Sequence, residues 1–171
     1  LNENRTNSAS PEIVDFGGGA DVPVVGNFDN TGGDDLGYYA EPGGTSTFYF
    51  DYDRDGTIDL TLPVSGVLGG FGGLGTPRAG NFDGDPAGTV GVAVVKPVVQ
   101  CCWAATWRWN IDNDLDGMVD QVEFTGFTGQ ETVVGDSNGG GQDDFGLLGP
   151  FLGTSAWFFF EDSNPGVDGM A

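Results

Sequence analysis

The chain lacks histidine and has few basic residues. Its 171 residues include five Lys and Arg against 26 Asp and Glu, for a formal charge of −21 at pH 7. Without imidazole there is no histidine base, no His-dependent triad and no histidine metal ligand, which excludes most hydrolase and transition-metal chemistry. Five cations cannot build the basic patch that nucleic acid or an anionic membrane surface requires. The binding of hard cations by carboxylates is not excluded by this composition.

Long apolar runs and a disulfide framework are also missing. No stretch approaches the roughly eighteen apolar residues of a membrane span. The two cysteines, Cys101 and Cys102, are adjacent, so they are two packing thiols, a strained vicinal disulfide or a bond to another chain. The 13 Phe, 4 Trp and 4 Tyr argue against disorder, because disordered chains are poor in large apolar rings.

The start of the chain carries no basic-plus-apolar leader at Leu1, so we expect either a mature secreted form or an intracellular protein. Asn4-Arg5-Thr6 is an N-glycosylation sequon in a polar tail, which makes Asn4 a possible glycan site.

The same features recur three times in the same order: a turn resembling Gly-Asn-Phe-Asp, an aromatic run and an acidic loop. Gly26, Gly80 and Gly135 mark the period, since they lie 54 and 55 residues apart. We divide the chain into a tail with a donor-type strand (1–20), repeat 1 (21–75), repeat 2 (76–129) and repeat 3 (130–171), which lacks its last strand.

Each repeat predicts short strands joined by Gly- and Asp-rich turns. No window of ten residues has helical periodicity without Gly or Pro. We therefore expect an all-β fold of three tandem four-stranded, propeller-blade-like repeats, since about fifty residues is the size of one blade. The predicted strands are 22–25, 36–40, 47–50 and 58–63 in repeat 1, and 90–95, 101–109 and 119–125 in repeat 2.

Two nine-residue loops, 51–59 and 112–120, have acids at positions 1, 3, 5 and 9 and Gly at position 6. The alternate spacing turns three carboxylates toward one point, the carbonyl of position 7 can join them, and the last Asp closes the site. Together these groups supply roughly the six or seven oxygen ligands that Ca²⁺ prefers. The EF-hand opens in the same way but ends in Glu at position 12, a feature absent here. The predicted ligands are Asp51, Asp53, Asp55, Thr57, Asp59, Asp112, Asp114, Asp116, Met118 and Asp120.

Charge repulsion favours a bound cation over a solvated turn. Four carboxylates about 5 Å apart repel by roughly 3 kcal/mol per pair at an effective dielectric of about 20. The pairs sum to on the order of 20 kcal/mol, beyond a typical domain stability of about 5–15 kcal/mol. Mg²⁺ fits less well, because it prefers fewer protein ligands and more water.

Loops 29–35 and 136–144 keep acids at both ends but not through the middle, and the loop that begins at Asp83 has lost its closing pair. An Asx-type turn is the alternative explanation for these three. The counterpart in repeat 3, 161–168, is one residue short and has lost an acid. These weaker metal candidates are Asp29, Asp34, Asp35, Asp83, Asp85, Asp136, Asn138, Asp143, Asp144, Asp162, Asn164 and Asp168.

The residues resemble the FG-GAP/VCBS repeats of integrin α-subunit propellers and of many bacterial extracellular proteins. The resemblance covers about residues 11–171, and its specific part is the Asp-x-Asp-x-Asp-Gly-x-x-Asp pattern at 51–59 and 112–120. It implies a β-propeller-like fold, calcium in hairpin loops, secretion, and adhesive, structural or glycan-related roles.

The number of repeats departs from that family, because propellers typically use about four to eight blades. Repeat 3 ends without the strand that follows the acidic loop in repeats 1 and 2, whereas segment 12–16 matches the missing piece. We hypothesise that this assembly strand, with Ile13, Val14 and Phe16, pairs with repeat 3 of its own chain or of the next chain. The second arrangement, a head-to-tail filament, is favoured. A piece of a longer propeller is the alternative.

The sequence thus predicts an extracellular, calcium-stabilised structural protein, without enzymatic activity, that builds a surface filament or adhesive layer from copies of itself. The alternative is a calcium-dependent glycan-binding adhesion module in which tryptophans stack on sugars, although such rings also pack between sheets. Catalysis by paired carboxylates such as Asp34 and Asp35 is a third class. The tryptophans concerned are Trp103, Trp107, Trp109 and Trp157.

Overall fold

The computed structural model describes residues 16–64, 75–85, 90–100, 104–125, 131–151 and 154–160. Regular structure in these residues is β-strand apart from one 3-10 turn at Pro42–Gly44. Among them, no helix has the length and apolar character needed to cross a bilayer. The expectation of an all-β fold is confirmed for this part of the chain.

The strands form three antiparallel sheets in which neighbours in sequence are neighbours in space. The first sheet contains β1 (Val22–Gly26), β2 (Asp35–Ala40), β3 (Thr47–Asp51) and β4 (Leu60–Pro63). The second contains β5 (Thr76–Gly80), β6 (Gly91–Gln100), β7 (Ala104–Asp112) and β8 (Gln121–Thr125). The third contains β9 (Glu131–Gly135), β10 (Asp144–Phe151) and β11 (Thr154–Phe160).

The predicted strands overlap β1–β4 and β6–β8. The strand predicted from Ile58 instead begins at Leu60, because the Asp59 carboxylate accepts from the Tyr52 amide at 2.8 Å and so closes the preceding loop. β5 was not predicted, since Thr-Pro-Arg-Ala-Gly has little β-propensity. The segments that would supply a fourth strand to the third sheet, 11–15 and 161–171, lie outside the described residues, as do Cys101 and Cys102.

The second sheet is buried on both faces, as the alternation of β6 shows. Val92 and Val94 pack with Phe48 and other residues of the first sheet. Ala93 and Val95 pack in another cluster, which Phe145 of the third sheet joins. Since successive residues of a strand point to opposite faces, β6 supplies one row of side chains to each cluster. The second sheet therefore lies between the first and the third.

The joints between successive units use the same contacts. The Val90 amide donates to the Asn27 carbonyl at 2.9 Å, and the Asp143 amide donates to the Asn81 carbonyl at 2.7 Å. The Phe after each asparagine is 1% exposed and belongs to the cluster at its joint. One kind of joint thus occurs twice in the described chain.

Glycine is required where the units approach each other. A Cβ placed on Gly26 would lie 2.9 Å from Cγ1 of Val90, and one on Gly80 would lie 2.6 Å from Cγ1 of Val134. Real Cβ atoms do not approach so closely, so the repeated glycine permits the contact between neighbouring units.

Candidate metal centres

Two acidic loops connect adjacent strands at corresponding corners of two sheets. Loop A (residues 51–59) joins β3 to β4, and loop B (residues 112–120) joins β7 to β8. Both turn through left-handed backbone at positions 4 and 6. The φ angles are 62° at Arg54 and 87° at Gly56 in loop A, and 58° and 83° at the same positions of loop B. Glycine at position 6 adopts this conformation without steric cost.

The first aspartate organises each loop by accepting backbone hydrogen bonds. In loop A, Asp51 Oδ1 accepts from the Asp55 amide at 3.2 Å, and Asp51 Oδ2 accepts from the Gly56 amide at 2.8 Å. In loop B, Asp112 accepts from the same two positions at 3.2 and 2.8 Å. Both aspartates are fully buried. Because each carboxylate oxygen has two lone pairs, these bonds leave capacity for a metal.

The last aspartate closes each loop. Asp59 Oδ2 accepts from the Tyr52 amide at 2.8 Å, and Asp120 Oδ2 accepts from the Asn113 amide at 2.8 Å. The closing residue thereby ties position 9 to position 2 and fixes the width of the loop.

The structure brings three carboxylates together in each loop. One oxygen from each of positions 1, 3 and 5 lies within 4.8 Å of the others, in Asp51, Asp53 and Asp55 and again in Asp112, Asp114 and Asp116. Two oxygens on one Ca²⁺ are at most about 5 Å apart, given bonds of about 2.3–2.6 Å. The oxygen donors and their spacing therefore fit a hard divalent cation.

The other predicted ligands have different placements. Asp59 and Asp120 close their loops but do not belong to the triads. The amides of Thr57 and Met118, whose carbonyls were the predicted ligands, donate to the carboxylates of Asp55 and Asp116 at 2.7 Å.

Burial makes the negative charge of loop B costly. It raises the pKa of Asp112 to about 6, although the amides of Gly117 and Asp116 donate to the carboxylate and oppose the shift. The neighbouring Asp116 and Asp120 carboxylates add to the increase. A cation beside Asp112 would relieve this cost, since an opposite charge favours the ionised form.

A third loop has the same backbone but fewer acids. In loop C (residues 136–144), Asp136 Oδ1 and Oδ2 accept from the amides of Gly140 and Gly141, each at 3.0 Å. Asp144 Oδ2 accepts from the Ser137 amide at 2.9 Å. The amide of Gly141, together with others, holds the pKa of Asp136 below its usual value. Positions 3 and 5 are Asn138 and Gly140, so loop C has no triad.

Loop D (residues 27–35) is a fourth version of this turn, with left-handed backbone at positions 4 and 6 and φ angles of 59° and 77°. Asp35 closes it by accepting from the Phe28 amide at 2.7 Å, and burial raises the pKa of Asp35. Counting back from Asp35 puts Asn27 at position 1, but Asn27 Oδ1 accepts no hydrogen bond, and the Thr31 amide at position 5 donates to Asp29 Oδ1 at 2.7 Å instead. Gly32 indicates this numbering in the sequence, because loops A and B also have glycine at position 6.

Two predicted ligands occupy position 8 of loops C and D, next to the closing residues. Asp143 Oδ2 accepts from the Asn81 amide at 2.8 Å, across the joint between the second and third units. Asp34, at the same register position of the first unit, is exposed. Asp83 and Asp85 lie in an Asx-type turn, in which Asp83 Oδ1 accepts from the Asp85 amide at 2.9 Å.

Of the predicted assembly residues, Phe16 lies within the described part of the chain. It is half-buried, with its ring edge-on to Tyr38 at 5.0 Å. The remaining predicted assembly, glycan and third-repeat metal residues lie outside the described residues: Asn4, Ile13, Val14, Asp162, Asn164 and Asp168.

The tryptophans of β7 lie at the sheet core. Trp109 has no exposed surface, and its Nε1 donates to Thr125 Oγ1 at 2.7 Å. Trp107 packs against the same cluster. Trp109 is therefore inaccessible to a sugar. Trp103 and the side chain of Trp157 lie outside the described residues.

No protein-family model, curated protein or solved structure matched the chain.

Proposed function

We propose that this protein is an extracellular, calcium-stabilised structural protein that assembles from copies of itself into a surface filament or adhesive layer. Its sheets correspond in this proposal to blades of the FG-GAP/VCBS type. The observation that carries the proposal is the pair of aspartate triads, each with three oxygens within 4.8 Å, at equivalent corners of the first two sheets. Repetition of the same geometry 61 residues apart, from Asp51 to Asp112, favours a common ligand.

Calcium in loop B would also stabilise the joint between the first and second units. Leu115 and Val119 of this loop pack against the hydrophobic cluster that the first and second units share. Gly117 approaches β4, since a Cβ placed on it would lie 2.9 Å from the Pro63 carbonyl oxygen. An ion that holds loop B in shape therefore holds this contact too, and the metal supports the association of units as well as a local hairpin.

The acidic composition supports an extracellular site of action. A chain with a formal charge of −21 repels its own copies unless cations screen or bind its carboxylates. Extracellular calcium modules bind with dissociation constants of about 10⁻⁴–10⁻³ M, which suits a medium rich in calcium. Assembly that depends on this ion would be restricted to such a medium.

Negative-stain electron microscopy with and without a chelator tests the proposal. We expect filaments or sheets in calcium and their loss in excess EDTA. Magnesium added at the same concentration is the control for simple charge screening. Calcium-loaded protein that remains monomeric at all concentrations would contradict the assembly role.

The predicted assembly strand needs its own test. Deletion of residues 1–20 should abolish the polymers while leaving calcium binding by loops A and B unchanged. Polymers that survive the deletion would refute strand exchange as the means of assembly.

A further inference from the structure

The first sheet exposes the face that the second and third sheets use to pack on the unit before them. Strand pairing aligns the three units, because Gly26 pairs with Asp35, Gly80 with Gly91, and Gly135 with Asp144. In this alignment Leu36 and Tyr38 of β2 correspond to Val92 and Val94 of β6 and to Phe145 and Leu147 of β10.

The corresponding side chains differ in burial. Those of β6 are 1% and 0% exposed, because both pack at the joint with the first unit. On β10, Phe145 is 5% exposed and packs at the joint with the second unit, and Leu147 is 1% exposed. Leu36 and Tyr38 are only half-buried. Val25, beside them on β1, is 56% exposed, whereas its counterpart Val134 packs in the second cluster. These side chains line a groove of about 280 Å³ that Phe16 borders.

The first unit also carries the polar residue that the third unit uses at its joint with the second. Asp143 donates its amide to the Asn81 carbonyl at 2.7 Å and accepts from the Asn81 amide at 2.8 Å. Asp34 is the same residue at the same register position, and it is exposed. The first unit therefore presents both the apolar and the polar groups that form a joint elsewhere.

The third sheet presents the opposite half of the joint. Gly135 corresponds to Gly26 and Gly80, where a Cβ would collide with the next unit. A Cβ placed on Gly135 would meet no atom within 4 Å. Asp136, the counterpart of Asn27 and Asn81, is exposed.

We propose that the face formed by Val25, Asp34, Leu36 and Tyr38 docks on the third sheet of a second copy, with residue 34 against Gly135. This interface repeats the joint found twice within the chain, and it specifies the contact behind the proposed assembly, on which it rests. Ser137 stands where Phe28 and Phe82 fill the internal joints, so the contact between copies is weaker than those within a chain. Both surfaces are acidic, so association strengthens as salt screens the charges.

Site-directed cross-linking tests the register of this interface. Two proteins carry Asp34→Cys and Gly135→Cys, respectively, each with Cys101→Ser and Cys102→Ser, and circular dichroism verifies that they fold. They are mixed in calcium with a short bismaleimide. We expect a cross-linked heterodimer at twice the monomer mass, at a yield at least tenfold above that of a matched mixture. The matched mixture replaces Asp34→Cys by Thr61→Cys, an exposed position on β4.

The same experiment can overturn the proposal. Equal yields from the two mixtures would do so. A single chain that carries both cysteines gives a further check. A fast intramolecular cross-link at high dilution would mean that the first and third units of one chain pack against each other, which would overturn the proposal. Polymers without the 34–135 cross-link would refute this interface and leave the proposed filament intact.

Sedimentation of a charge variant gives an independent measurement. Val25→Asp should weaken association at least tenfold, whereas Phe124→Asp, at a residue 44% exposed on β8, should not. Equal effects would count against the interface. Calcium should stabilise both variants, and a loss of that stabilisation would instead count against the proposed calcium role.

Discussion

Loops B and C follow the same backbone path but carry different side chains at the points where a metal would bind. The φ angle at position 6 is 83° in loop B and 89° in loop C. The first aspartate accepts from positions 5 and 6 in both, and the last accepts from position 2. Of these two loops, only loop B has aspartates at positions 3 and 5. The comparison teaches that positions 1, 6 and 9 determine the path of the loop, whereas positions 3 and 5 determine whether three carboxylates meet.

The largest expected effect is the removal of calcium from loops A and B. In about 10 mM calcium, a site with a dissociation constant of about 10⁻⁴ M is filled to about 100 times that constant and stabilises the fold by about 2.7 kcal/mol. For a chain of this length, 1 kcal/mol corresponds to roughly 2–4 °C, so excess EDTA, by emptying both sites, should lower the melting temperature by about 10–20 °C. Calorimetry measures this, and a shift below about 3 °C would contradict structural calcium at both loops.

Exchanging the side chains of loops B and C should change the number of sites. Asp114→Asn with Asp116→Asn should remove one of two sites in isothermal titration calorimetry. Asn138→Asp with Gly140→Asp should add one, because loop C already has the required path. The backbone at Gly140 is not left-handed, but a Cβ there would lie 2.7 Å from Asn138 Oδ1, so the side chain at position 138 must shift to accept aspartate.

A control for the added charge is Ala20→Asp with Thr45→Asp, at two exposed positions outside the loops. If this control gains the same heat of calcium binding as the loop C variant, the effect is one of net charge and not of ligand geometry.

The glycines of the two loops should differ in their tolerance of alanine. Both Gly117 and Gly139 are left-handed, which costs an alanine about 1–2 kcal/mol. Gly117→Ala should cost about 1–3 kcal/mol more, because its Cβ would press on the Pro63 carbonyl, whereas nothing lies within 4 Å at Gly139. Urea unfolding of both variants in calcium measures the difference, and equal losses would mean that loop B does not press on β4.

The smallest effect is a change of sign in the pH dependence. The pKa of Asp112 is raised to about 6 in the folded chain, so without metal the folded state binds this proton more tightly than the unfolded state. The contribution of Asp112 to stability is therefore present at low pH and lost as pH rises through about 6. With calcium bound the dependence reverses, because protons compete with the ion.

Melting curves between about pH 4 and pH 7, in calcium and in EDTA, measure both slopes. Asp112→Asn should reduce the slope of stability against pH in the EDTA series over this range. A slope of the same sign in both series would contradict metal binding at loop B.

Loops A and B were predictable from sequence because their stabilising contacts are local. Asp51 accepts hydrogen bonds from amides four and five residues later, so the spacing of acids and glycine specifies the turn. β5 was not predictable, because Pro77, Ala79 and Gly80 have little strand propensity and become part of a strand only through pairing with β6. The metal roles assigned to Asp34 and Asp143 were argued from sequence adjacency, which does not report that Asp143 faces another unit.

The sequence by itself determined the all-β character of the described chain, the acidic surface and the path of the nine-residue loops, because these depend on composition and on residues within a few positions of each other. Only the tertiary structure decided which side chains meet between units. Asp34 and Asp143 are chemically identical, yet Asp143 is bound by an amide 62 residues away and Asp34 is exposed. Such contacts depend on how sheets stack, and the burial of apolar faces determines that stacking for the whole chain at once.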